Sequence, residues 1–266
     1  MAPSQTTDVT ALTSAVEANA AGRNALVDNL VAQVQALLHT FTGWYSDPAV
    51  AAMSKDIASL VTPTQQIMVA QENAYLSQVS SMLAGHTVPP AKLAPTHNLR
   101  TGVTPDDVYE RIARQYRYER SIDVPEPDAL QHVLTRADVM NQADVALAAR
   151  RQDAEFFSQH DITGYRRVIH PELAKQGTCG LCIASSDRVY HKSRLLPIHD
   201  RCHCGVMPIL GGFDAGSALN NLDLGTLYEH GGSTSAADLK RTRYQIDQHG
   251  ELGPTLVPKK RASKRA

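Results

Sequence analysis

The chain has 266 residues, 42% of them hydrophobic and only 5% aromatic, and its 26 basic and 27 acidic side chains leave a formal net charge of −1. That length suits one large domain or two modest ones. The charge balance argues against a wholesale nucleic-acid coat, which would be basic, and the aromatic content argues against a large aromatic core. The opening residues, Met-Ala-Pro-Ser-Gln-Thr-Thr-Asp, lack the basic and apolar regions of a signal peptide. No run approaches the roughly 18 apolar residues of a membrane span. The expected setting is therefore a reducing cytoplasm, where paired cysteines more often bind metal than form disulfides.

The first 85 residues read as helix. Leu26, Leu30, Val34, Leu37, Leu38 and Phe41 recur at three- and four-residue steps, the apolar stripe of an amphipathic helix. Ser14-Ala-Val-Glu17 has the form of a capping box at or near its start. Gly43 to Pro48 breaks the pattern, and Trp44 and Tyr45 are expected to pack at the turn. A second helical stretch begins near Ala49 and is expected to be interrupted at Thr62-Pro63-Thr64. It resumes through Ile67, Ala70, Ala74, Leu76, Val79 and Leu83 and ends at Gly85. Residues 1–85 thus form a helical hairpin region.

Residues 86–103, with Pro89, Pro90 and Pro95, read as a linker or extended arm. Thr104-Pro105-Asp106-Asp107 is a helix start, with a threonine N-cap, proline at the first position and acids in the first turn. Val108, Ile112 and Tyr116 carry that helix along one face to near Ser121. After the proline-broken Val124-Pro-Glu-Pro127 a long helix is expected from about Asp128 to Ser158, so that 104–160 is a second helical region. The charged face of Glu110, Arg111, Arg114 and Arg117, and the pair Arg150-Arg151, read as solvated. From residue 161 the character changes. Tyr165–Ile169, Arg188–His191 and Gly205–Ile209 have the composition of short strands, and 211–237 reads as loop with one or two short helices. The last eight residues, 259–266, carry five positive charges and no acid. Such a tail is expected to be disordered, and either reaches DNA or an acidic protein surface or serves only as a solubilising terminus.

All four cysteines fall in one window, as Cys179-Gly-Leu-Cys182 and then His199-Asp-Arg-Cys202-His203-Cys204. Two tight ligand pairs separated by a loop are what tetrahedral zinc needs, since each pair supplies one edge of the tetrahedron. The spacing C-x2-C-x19-C-x-C is close to a zinc ribbon, but Cys202 and Cys204 point to one side only where the backbone is extended. His199 offers another way to close the site. Five candidates, Cys179, Cys182, His199, Cys202 and Cys204, therefore compete for four positions, with His203, His191 and His170 as outsiders. The alternative is four reduced cysteines packing a small core. A thioredoxin-like pair lacks its βαβ context. No H-E-x-x-H, deaminase H-x-E, P-loop, G-x-G-x-x-G or G-x-S-x-G accompanies the cysteines, which favours a closed structural clamp over a reaction centre. A metal can supply folding free energy that a short, loop-rich segment cannot draw from a core. The expected fold class is α+β, long N-terminal helices followed by a small zinc-stapled α+β module over 161–258.

The order C-x-x-C, a hairpin-like stretch, then H-x-x-C-x-C and an apolar strand resembles the Mu F-like (MuF) minor head proteins of tailed bacteriophages. Cys179, Cys182, His199, Cys202 and Cys204 carry the resemblance, with Asp200 where the family often has proline. Gln248–Pro254 is also similar to a C-terminal stretch in such proteins from phages of actinobacteria. The match covers roughly residues 165–254, and the N-terminal helices agree only in kind. The resemblance implies a virion component of low copy number, associated with portal and capsid proteins at the portal vertex or capsid interior, acting in head assembly or genome delivery. The basic tail is compatible with packaged DNA nearby. Two other classes compete. One is an HNH-like metal-dependent nuclease in which His199 or His203 acts beside a cysteine-held zinc, motivated by the His199-Asp200 pair. The other is a zinc-ribbon DNA-binding module.

Overall fold

The computed structural model describes residues 8–97, 99–170, 173, 185–186, 188–192, 203–220 and 244–258. Four helices make the body: α1 (Val9–Thr40), α2 (Asp47–Ala84), α3 (Pro105–Ser121) and α4 (Glu126–Gln159). Two sheets accompany them. One is antiparallel in the order β2-β1-β3, from β1 (Gly164–Val168), β2 (Val189–His191) and β3 (Gly205–Ile209); the other is a hairpin of β4 (Tyr244–His249) and β5 (Gly253–Pro258). The architecture is α+β, long N-terminal helices followed by a small antiparallel sheet and a helical stretch at 215–220.

Local signals account for most helix ends. Asp8 caps α1, accepting from the amides of Thr10 and Ala11 at 3.0 and 3.2 Å. The helix thus starts ahead of Ser14, which lies exposed inside it, so Ser14–Glu17 is no capping box. Ser46 caps α2, and Gly85 ends it at φ 70°, a left-handed conformation that costs glycine nothing. Between these ends α2 is continuous, and the expected interruption at Pro63 does not occur. Proline removes the bond to the carbonyl of Ser59, but both residues are exposed, so water can satisfy that oxygen. Ile57 and Val61 before it and Met68 after it are buried in one core, and that burial offsets the proline's cost. Thr104 caps α3 as the sequence implies, and with Asp107 it forms a reciprocal capping box.

The main core joins all four helices around Leu30, Val34, Leu38, Ile57, Ile112 and Val133. At the α1–α2 turn Trp44 is buried and stacks on Tyr116 with ring centroids 4.4 Å apart, while Phe41 meets it edge-on at 4.8 Å. Tyr45 stays 69% exposed and reaches Tyr116 only by a ring edge. The described residues of 86–103 form neither helix nor strand but are closely attached to the helices. Asn73 of α2 exchanges two hydrogen bonds with the backbone of Ala91, at 2.8 and 2.9 Å, and Gln152 of α4 accepts from Ala94 N at 2.7 Å. A proline-rich segment without a ladder of its own needs such partners for its buried backbone groups.

The sheet packs on the bundle end formed by the start of α1 and the ends of α2 and α4. There Leu12, Val16, Leu76, Val79, Phe156 and Phe157 share a core with Tyr165, Val168, Val206 and Met207. Tyr75 of α2 donates from its hydroxyl to the carbonyl of Val206 at 2.9 Å, tying β3 to the helices.

Candidate functional site

Of the five candidate ligands only Cys204 lies among the described residues; Cys179, Cys182, His199 and Cys202 lie outside them. Cys204 is buried, immediately before β3, whose five residues are all buried in turn. The register Val168↔Gly205 sets the end of β1 beside the start of β3. His170, two residues past that pair, is buried, and its Nε2 stands 3.4 Å from where a Cβ on Gly205 would lie. Arg23 of α1 also closes on this spot, its Nη1 lying 3.9 Å from the same point. The strand end carrying Cys204 is thus seated against a cation from the helical body.

His203 lines a cavity of about 40 Å³ with Arg23, Asn24, Met68 and Gln142. Burial lowers its proton affinity below the usual histidine value; the charge of Cys204 opposes that, and Arg23 adds to it. Of the three outsiders, His170 and His203 therefore lie at the Cys204 end. His191 does not, for it pairs with Gly164 at the other end of β1, about 13 Å away at strand rise. Among the described residues no group of three or more His, Cys, Asp or Glu is arranged to hold a metal. Cys204 presents one sulfur at a buried strand end, where a thiolate beside Arg23 would be partly compensated.

Among the described residues, two charged clusters within the helical body have no counterpart in the sequence pattern. In the first, Glu72 of α2 is fully buried and Asp153 of α4 is 3% exposed. Asn19 donates to Glu72 Oε2 at 3.2 Å, and Arg23 lies 3.6 Å from the same oxygen. Arg150 donates to Asp153 Oδ2 at 2.9 Å. Burial raises the Asp153 carboxyl to about 7, with the Glu72 charge adding and Arg150 and Arg23 opposing. Burial also raises the Tyr75 hydroxyl, which faces both acids.

In the second cluster Asp144 of α4 accepts from Arg100 Nε at 2.5 Å and from the Tyr109 hydroxyl. Burial raises the Asp144 carboxyl, and Arg100 and Tyr109 oppose that. Arg111 donates to Glu251 in the β4–β5 turn, and Thr101 N donates to the Glu251 carbonyl at 2.9 Å. The sequence clue was present: Glu72 falls on the stripe of Val69, Leu76 and Val79, and Asp153 on that of Ala149 and Phe156. A charge at a core position of a helix needs an internal partner. The arginines read as solvated also have protein partners: Arg117 holds Asp47 and the Trp44 carbonyl, and Arg151 holds the carbonyls of Pro95 and His97. Only Arg114 keeps to the surface, in an i,i+4 pair with Glu110.

No helix among the described residues is long and apolar enough to cross a membrane. The chain matches no protein-family model, no curated protein and no solved structure.

Proposed function

We propose that this chain is a minor head protein of a tailed bacteriophage, similar to the Mu F-like family, with a structural zinc held by four of Cys179, Cys182, His199, Cys202 and Cys204. Its place is the virion, at the portal vertex or capsid interior, and its role is in head assembly or genome delivery without catalysis. The observation that carries this reading is the order C-x-x-C then H-x-x-C-x-C leading into a buried strand seated on a long helical body. A closed metal clamp suits that position. It would hold the cysteine–histidine segment before β3, leaving the helices as docking surfaces. α2 alone runs 38 residues, about 57 Å at helical rise, long enough to bridge neighbouring subunits of an assembly. The tail at 259–266 would face packaged DNA, where its charges find phosphates.

The test is co-expression of the full chain with the portal and major capsid proteins of its phage, followed by isolation of the assemblies. The reading expects the chain to co-purify with portal-containing particles at low copy number. A chain left wholly unassembled while portal and capsid proteins form particles would refute it. Magnesium-dependent nicking of plasmid, lost on His203→Ala but kept when 259–266 is deleted, would favour the nuclease instead. DNA affinity that survives the same deletion and falls steeply with salt would favour the zinc ribbon.

A further inference from the structure

We propose that Glu72 and Asp153 share one proton, and that this proton clamps α2 to α4 beneath the sheet. The geometry is specific. Glu72 Oε2 has Asn19 and Arg23 beside it, and Asp153 Oδ2 has Arg150. The inner oxygens, Glu72 Oε1 and Asp153 Oδ1, are buried and have no donor. A hydrogen bond between the two carboxyls is among the causes that raise the Asp153 proton affinity. Two ionised carboxylates would set acceptor against acceptor in a dry site. One proton resolves this, because it makes one acid the donor and the other the acceptor.

The charged and titratable groups facing the pair come from each neighbouring helix: Arg23 from α1, Tyr75 beside Glu72 on α2, and Arg150 on α4. From the sheet, the described contact is the Val206 carbonyl that accepts from Tyr75. Arg23 and Arg150 serve Glu72 Oε2 and Asp153 Oδ2, and Arg150 Nη2 is buried without a hydrogen-bond partner, so it donates to neither remaining oxygen.

The sign follows from the raised proton affinity of Asp153, about 7 in the fold against 3.8 ordinarily. Between those values the folded chain holds a proton that the unfolded chain has released, so stability declines as pH rises through the window and levels off above it. The clamp tightens on mild acidification and slackens toward alkaline pH. This inference is independent of the head-protein reading.

The test uses the full chain, with infrared spectroscopy of the protonated-carboxyl stretch and urea unfolding at pH 5.5 and 8. In wild type, a protonated-carboxyl band is expected at pH 5.5 that is lost by pH 8. The unfolding constant is expected to rise roughly thirtyfold over the same interval. Asp153→Asn should remove that band and most of the pH response, while Asp144→Asn, which alters the other buried acid, should keep both. A wild-type chain without the band, or equally stable at the two pH values, would overturn the proposal even if neither variant folded. An Asp153→Asn chain that kept the band would overturn it too.

Discussion

Among the described residues the β4–β5 ribbon pairs with neither edge of the main sheet, and its turn at Glu251 is held by Arg111 of α3 and the Thr101 amide. A lone two-stranded hairpin is marginal in water, which makes this contact decisive for the ribbon. Consider Glu251→Ala. The side chain is 18% exposed and meets Arg111, itself 27% exposed, with Arg100 Nη1 at 3.7 Å. A partly buried, charge-assisted hydrogen bond contributes about 1.5–3 kcal/mol. The Arg100 contact is long and its guanidinium already serves Asp144, so it adds little. The backbone bond from Thr101 survives the substitution, and Arg111 is exposed enough to be rehydrated. The net loss is about 2 kcal/mol in the free energy of local opening, or roughly 30-fold in the opening equilibrium. Amide hydrogen exchange read by mass spectrometry should show that acceleration in peptides covering 244–258 and little change in α1, α2 and α4. A change below threefold in the ribbon would refute the clasp. So would an equal acceleration across the helices.

Three further outcomes are expected. Ile57→Ala empties a fully buried site among all four helices and should cost 2–5 kcal/mol, measured by urea unfolding at constant pH. Thr104→Ala removes one half of the α3 capping box and should cost about 1 kcal/mol, with Thr104→Ser recovering most of it. Pro63→Ala restores the amide that α2 lacks at an exposed position; thermal unfolding should show no loss of stability, because the helix is already continuous there.

The elements that could be read directly are those whose signal is local. Thr104-Pro-Asp-Asp carries its own cap, and the three strands around the cysteines announced themselves by β-branched and aromatic composition. Pro63 misled because its local cost is real but is outweighed by burial of Ile57, Val61 and Met68 on either side. Ser14 misled because serine three residues before glutamate matches a cap motif equally well inside a helix, where Asp8 had already done the capping. The ribbon at 244–258 is not announced by the sequence, where its turn falls within Gln248–Pro254. His249 Nδ1, which accepts from the amides of Glu251 and Leu252 at 3.3 and 3.2 Å, organises that turn through a side chain with no general turn signature. The acids Glu72, Asp144 and Asp153 were legible as charges on apolar stripes, but their partners come from distant helices, which a stripe cannot reveal.

The proposed metal staple is closed by four ligands from the cysteine–histidine segment. Metal analysis of the reduced, full-length chain, wild type beside Cys179→Ser, His199→Ala and Cys204→Ser, addresses it most directly. About one zinc per wild-type chain is expected, lost in Cys179→Ser and lost in either His199→Ala or Cys204→Ser, whichever residue is the fourth ligand. A wild-type chain that binds no zinc, or zinc retained in all three variants, would contradict it.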